Sequence, residues 1–432
     1  MVGPACSQLS GHRPGAPRHL GGARRLLSAC CGALLLLAVA SHAAAETVVE
    51  SEIQNQLLAV WDGNDLGLGG VATGRIEFRN APAPMVQARL VLNTTAAQLQ
   101  SDTGTISTAF VDVPRASLRF RFPVTQDYTM RVSVGRDRLA WGIGSLFNAG
   151  DLIFGADGSG GADFTSTGDL RDETSWLYSV YLPLGERAYL EPVFLPPFPE
   201  LSLGDGSEAD GAGGTGVAAP SLLAGQALDG AAGAAVVPGG ADESRLGLRL
   251  HAVLGGLSLE PAYLYDGSED MHHAAFSVQG NLWADLYAAA RLSLDDKLPS
   301  GFGSVLEERG STSLGAFRTF RIGRDRNLTA RMEGFIRPGA SWSDQERPDA
   351  EYAVLLHPEL VYAPGRTLNI IGRAVVSPLD SSALLIVGYS WNIFTGFYAE
   401  SFVAAQIGDK DAVFGWDRPG SLSMSNGFRY RF

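Results

Sequence analysis

Between residues 115 and 122 the chain reads RASLRFRF, and its two sets of alternate residues differ sharply in character. Ala116, Leu118, Phe120 and Phe122 interleave with Arg115, Ser117, Arg119 and Arg121. A period of two is that of an extended strand, whose side chains point in turn to opposite faces. A strand with arginine on one face and phenylalanine on the other must separate water from something apolar. The same alternation recurs at 128–135, 244–252 and 328–334. Counted along the chain it predicts about 18 strands, with 16 as the alternative: 52–61, 72–80, 86–93, 115–122, 128–135, 172–182, 187–195, 244–253, 256–265, 273–280, 284–293, 312–321, 327–336, 352–362, 367–376, 383–391, 395–404 and 422–432.

The connections between these strands alternate between short and long. PVTQD (123–127), PLGE (183–186) and APGRT (363–367) are tight, whereas 94–114, 136–171, 196–243, 294–311, 337–351 and 405–421 are long and all follow odd-numbered strands. A soluble sandwich has no reason to keep its long loops at one end. A transmembrane antiparallel up-and-down β-barrel does, with short periplasmic turns, long external loops and an even number of strands. Hydrocarbon offers no partner for an open sheet edge, so such strands must close on one another. The fold expected is therefore all-β, a single barrel over 46–432, and the last strand must pair with the first.

The chain ends on FRYRF, with Phe428, Tyr430 and Phe432 alternating with Arg429 and Arg431. Rings at one rim of a barrel suit the headgroup layer. A final strand that ends in phenylalanine also resembles the sorting signal of bacterial outer-membrane proteins. That resemblance implies that Phe428, Tyr430 and Phe432 form an assembly signal, with the barrel assembly machinery as a partner.

Residues 1–45 read as an export signal. Arg13, Arg18, Arg24 and Arg25 precede the apolar stretch 26–40, and Ala43–Ala45 offers small residues for cleavage. Cys6, Cys30 and Cys31 all lie within it, so the processed chain would have no disulfide and no thiolate metal site. Four of the 33 basic residues and none of the 46 acidic ones lie there too, which leaves a net charge of −17. Such a balance argues against nucleic acid as a partner. The cell outer membrane is the expected location, with its lipid and lipopolysaccharide as surroundings. The acidic stretches DGSEAD (205–210) and DGSED (266–270) either bridge divalent cations at that lipopolysaccharide or are simply solvated loops.

If the apolar faces meet lipid, the opposite faces line a lumen. Alternation assigns 14 arginines inward, Arg115, Arg119, Arg121 and Arg131 among them, against seven acids. Two readings stand side by side: a water-filled channel whose field favours anions, and arginine–carboxylate pairs that only brace the inner wall.

The third external loop opens with GRDRLAWGIGSLFNAGD (135–151). Gly135, Arg136, Trp141, Gly142, Asn148 and Asp151 resemble a signature, Gly-Arg-x4-Trp-Gly followed by Asn-x-x-Asp, of several outer-membrane porin families. The resemblance implies a loop folded into the lumen, with Arg136, Arg138 and Asp151 at a constriction. Strict alternation from Val134 opposes this for Arg136 and places it on the outer face unless a bulge at Gly135 reverses it. The Gly/Ala-rich connection 196–243 would either cap the channel or lie outside it.

Catalytic and metal signals are weak, and no cofactor is expected. Outside the leader the histidines are His251, His272, His273 and His357, and adjacent His272 and His273 rarely converge on one ion. No nucleophile–base spacing or phosphate loop stands out. The function expected is a porin-like channel for passive diffusion of small, anion-leaning solutes. The alternatives are a selective channel for sugars or apolar compounds using Tyr287 or Tyr398, an outer-membrane enzyme, and a structural or adhesive barrel. The oligomeric state is left open.

Overall fold

A computed structural model describes residues 47–432, apart from 62–65, 81–84, 102–103, 157–161, 166–169, 198–201, 205–243, 295–308, 338–353, 411 and 417–420. The expected export signal (1–45) and most of the 196–243 connection lie outside the described residues.

The strands are β1 (Thr47–Trp61), β2 (Leu66–Asn80), β3 (Val86–Ser101), β4 (Gly104–Pro123), β5 (Thr129–Asp137), β6 (Ser175–Pro183), β7 (Ala188–Leu195), β8 (Ser202–Gly204), β9 (Arg245–Leu254) and β10 (Leu257–Asp266). They continue with β11 (Met271–Asn281), β12 (Asp285–Leu294), β13 (Gly310–Arg321), β14 (Asn327–Ile336), β15 (Val354–Ala363), β16 (Leu368–Ser377), β17 (Ser382–Phe394), β18 (Phe397–Ile407) and β19 (Leu422–Arg431). Each strand other than β8 pairs antiparallel with its neighbours in sequence, β7 pairing directly with β9. β19 closes on β1 from Arg431–Glu52 to Leu422–Trp61. The result is a closed barrel of 18 strands; the three-residue β8 is an addition that pairs only with Phe110–Asp112 of β4.

Closure runs to the last residue. Ser51 and Phe432 exchange both backbone hydrogen bonds at 2.9 Å. The Arg431 guanidinium meets Glu50, which also receives Arg79. Outside, Tyr430 stacks on Phe432 at 5.4 Å and Phe397 on Phe428 at 5.4 Å, an exposed aromatic cluster at the rim of short turns. Much of the outer surface of the strands is apolar, with Leu57, Phe276, Leu314, Met332, Leu360 and Val387 all exposed. A belt of this kind, on a barrel with no open edge, is the surface of a membrane-spanning β-barrel.

The expected long connection 94–114 is corrected. β3 and β4 remain paired from Val86–Phe120 up to Ser101–Gly104, with one bulge near Asn93. There one residue of β3 (Leu92) opposes two of β4 (Val113 and Pro114), which shifts the alternation along β4, so the expected strand 115–122 starts late although backbone pairing continues. Leu66–Val71 and Thr47–Ser51 likewise extend the first two strands.

The core lies inside the barrel. Phe335, Leu355, Ile371, Ile386 and Phe402 point inward from β14 to β18 and are buried against Leu146, Phe147, Phe164 and Leu170 of the β5–β6 connection. A second cluster joins Trp141, Leu152 and Ile153 of that connection to Leu177, Val193, Leu195, Ala262 and Leu264 of the wall.

Candidate functional site

The β5–β6 connection, residues 138–174, folds into the lumen and is held there by inward-facing side chains. Glu333 of β14 is fully buried, and its carboxylate accepts three successive backbone N–H groups: Ser145 at 2.6 Å, Leu146 at 2.8 Å and Phe147 at 3.2 Å. Tyr287 donates its hydroxyl to the same carboxylate. A buried carboxylate is stable only when its lone pairs are so occupied. Ser313 accepts the Ala149 N–H at 2.8 Å. Phe147 stacks on Phe335 with centroids 5.7 Å apart.

The start of the loop is gripped by a buried cluster on β7, β9 and β10. Arg249 pairs with Glu191 and, at 3.4 Å, with Glu260, and donates to the Ala140 carbonyl at 3.1 Å. Glu260 accepts the Gly142 N–H. Trp141 packs against Gly247, where an added Cβ would lie 2.5 Å from the indole and 2.9 Å from Leu264 and Val193. Further along, Arg245 donates to the Ile153 carbonyl at 3.0 Å and Arg373 to that of Phe164. Arg373 and Arg331 share Glu359 at 2.6 and 3.1 Å.

Trp141, Gly142, Asn148 and Asp151 of the signature lie within this loop, while Gly135 and Arg136 end β5. Asn148 donates to the Trp141 carbonyl at 2.8 Å and accepts the Gly150 N–H at 3.1 Å. Gly142 holds a positive φ of 69° beside them, which favours glycine. Asp151 accepts the N–H groups of Ile153 and Phe154 at 3.1 and 3.2 Å and pairs with Arg171 at 3.4 Å. Burial pushes its carboxyl up to about 6, with Arg171 pulling the other way.

The loop leaves a cavity of about 1030 Å³ between itself and the arc formed by β1 to β5, β18 and β19. Its charged lining is seven arginines (75, 89, 115, 119, 138, 429 and 431) and five carboxylates (Glu52, Asp137, Asp163, Asp172 and Glu400). Arg119 lies 3.6 Å from Asp137, Arg429 lies 2.7 Å from Glu400, and Arg115 pairs with Asp172 from the far end of the loop. Arg75 and Arg89 share Glu77 behind the lining at 3.6 and 2.9 Å.

Of the candidate pore residues, Arg115, Arg119 and Arg138 line this cavity. Arg131 lies over the Tyr181 ring at 4.0 Å and lines an adjoining space of about 190 Å³. Arg121 donates to Gln87 at 3.3 Å. Arg136 is not among the lining residues. It pairs in register with Ala116 through an unbroken stretch at Gly135, and its guanidinium meets Asp112 at 3.2 Å and Thr174 at 3.2 Å. Asp151 is enclosed in the loop rather than facing the cavity. Tyr287 is buried on Glu333, while Tyr398 lies under Arg429 at 4.7 Å. Sequence reasoning missed Glu333 as an anchor, because inward parity marks a residue as lumenal without saying what covers it.

No protein-family model matches the chain, and no curated protein matches it. Solved structures that resemble it include OccK7 (OpdD) of Pseudomonas aeruginosa, 9% identical over 90% of this chain and 99% of that one with a TM-score of 0.47. A triply substituted Rh. blastica porin is 12% identical over 90% and 100% with a TM-score of 0.38, and Pseudomonas putida OprB at low pH is 8% identical over 89% and 92% with a TM-score of 0.37. Barrel closure in this chain stands on its own strand pairing, and the solutes of these proteins do not transfer at such scores.

Proposed function

We propose that the chain is a porin-like outer-membrane channel for passive diffusion of small anionic solutes. The observation that carries this reading is the arginine-rich cavity beside the folded-in loop: seven guanidinium groups against five carboxylates, in a chain whose net charge is −13. Low-dielectric walls focus the field of such a lining and raise the local concentration of anions. The reading is of a channel and not an enzyme. The exposed rings of Phe428, Tyr430 and Phe432 at the closing strand support their role as an assembly signal.

The test is conductance in planar bilayers with a salt gradient. A steady ohmic current with a reversal potential toward the anion side is expected. Absence of current from a correctly folded barrel would refute the channel, and cation preference would refute the solute class while leaving the channel standing.

A further inference from the structure

On the outer face one strand position departs from the rule that the barrel otherwise keeps. Arg318 of β13 shares its parity with the exposed Leu314 and Phe320, and it stands opposite Ala330 of β14, two residues from the exposed Met332. It therefore points outward. Among the outward positions of the described strands the other charged side chain is Arg136, and that one meets Asp112 at 3.2 Å. Arg318 has no carboxylate partner among the described residues; its guanidinium lies over the Phe320 ring at 5.2 Å.

More arginine gathers beside it. Arg321, Arg324 and Arg326 follow in the same strand and short turn, and all are exposed. Arg366, on the short turn between β15 and β16, reaches Asp325 at 3.6 Å, the one acid of this group. The short turns 124–128, 184–187, 255–256, 282–284 and 395–396 together hold a single arginine, Arg187, against Asp127 and Glu186. Five arginines around one aspartate are thus a local reversal in a chain with 46 acidic and 33 basic residues. Ala330 and Ala316 beside Arg318 are small, which leaves its guanidinium open to the lipid side. Phe320 and Ile322, and Leu282 and Trp283 on the turn before β12, add exposed apolar surface.

We infer that this part of the short-turn rim is a binding site for an anionic glycerophospholipid, its phosphate held by Arg318 and the arginines of the β13–β14 turn. A charge on the lipid face of a barrel is costly at depth and tolerated where it reaches the headgroups. Arg318 lies three residues inside the last ladder pair, Arg321–Asn327, which is ~10 Å along the strand at ~3.4 Å per residue. From there a long side chain runs along the wall toward the rim and places its charge at headgroup level. A guanidinium meets phosphate through two parallel N–H bonds, which a choline or ethanolamine cannot replace. A soluble acidic protein could meet the turn, but not a side chain on the lipid-facing wall; a lipid meets both. The inference rests on the barrel spanning a membrane and not on its conducting. A barrel that retains the lipid and passes no current would refute the channel and leave this site standing.

The experiment is native mass spectrometry of the full chain in mild detergent, with phosphatidylglycerol, phosphatidylcholine, lipopolysaccharide or a hexaglutamate peptide added at equal concentration. The parent should retain phosphatidylglycerol in roughly tenfold preference to phosphatidylcholine. Arg318→Gln should lower that retention about fivefold, one arginine's share at a membrane surface. The triple variant Arg318→Gln, Arg324→Gln, Arg326→Gln should retain the two lipids equally, whereas Arg187→Gln on a different short turn should behave as the parent. A heat-resistant barrel band in each variant shows that it folds. A parent without preference, a triple variant that keeps it, or an Arg187→Gln that loses as much would each overturn the proposal. So would variants that lose only hexaglutamate, which would assign the surface to an acidic protein, or only lipopolysaccharide.

Discussion

Replacing Glu333 by alanine removes the acceptor for three consecutive loop amides and for the Tyr287 hydroxyl. A hydrogen bond to a charged group contributes about 1.5–3 kcal/mol, and buried donors left without an acceptor cost about 1–3 kcal/mol each. The terms overlap and water will enter the space, so the docked state of residues 143–150 should lose about 4–6 kcal/mol. The loop keeps its other anchors at Ala140, Gly142, Ile153 and Phe164. Wall pairing of β13, β14 and β15 is backbone-based and should survive. At ~1.4 kcal/mol per factor of ten, exchange protection of the amides at 145–147 should fall by about a thousandfold to ten-thousandfold. Single-channel current should rise and become noisy as the segment leaves the lumen. Glu333→Gln, which keeps one acceptor oxygen, should lie between, and Tyr287→Phe should cost about one ordinary hydrogen bond, ~1 kcal/mol. Amide exchange read by mass spectrometry, with bilayer recordings on the same preparations, decides the matter. If Glu333→Ala keeps protection within tenfold of the parent and its current is unchanged, the carboxylate does not hold the loop.

Further outcomes follow from the same geometry. Arg119→Ala and Arg138→Ala should shift the reversal potential toward cations, measured in a salt gradient; unchanged selectivity would remove them from the selective lining. Asp151 has a carboxyl raised to about 6 against an ordinary 3.8. Its charged form therefore opposes docking above pH 6, and the penalty disappears as pH falls through that window. The loop should then be better protected at pH 5 than at pH 7.5, after correction for intrinsic exchange, and Asp151→Asn should abolish the difference; a variant that keeps the parent's pH response excludes this carboxyl. Deleting Phe432 removes both of its bonds to Ser51, so the heat-resistant barrel band should diminish before current per channel changes. Normal assembly of the truncated chain would show that the terminal residue is dispensable.

Alternation in stretches such as RASLRFRF was enough to place most strands and to favour 18 over 16, since strand parity is a local property. The bulge at Val113–Pro114 escaped because it shifts the side-chain alternation of β4 while pairing with β3 resumes beyond it. One signal in the sequence was available and not read: LLHPEL, NIIGRAVV and ALLIVG carry apolar residues on both parities, which a water-filled lumen does not require. Those inward residues are the seat of the loop.

By itself, then, the sequence determined a closed, two-faced barrel, an arginine-rich interior and a last strand that must meet the first, because each follows from local periodicity and from the need to pair every backbone group in hydrocarbon. Only the tertiary structure decided which lumenal charges remain open to solute. Glu191, Glu260, Glu333 and Glu359 share inward parity with Glu400, yet the loop buries the first four and leaves Glu400 on the cavity. Parity is set within a strand, whereas coverage depends on where a segment of 37 residues between β5 and β6 packs, and that is a contact between parts of the chain up to 209 positions apart.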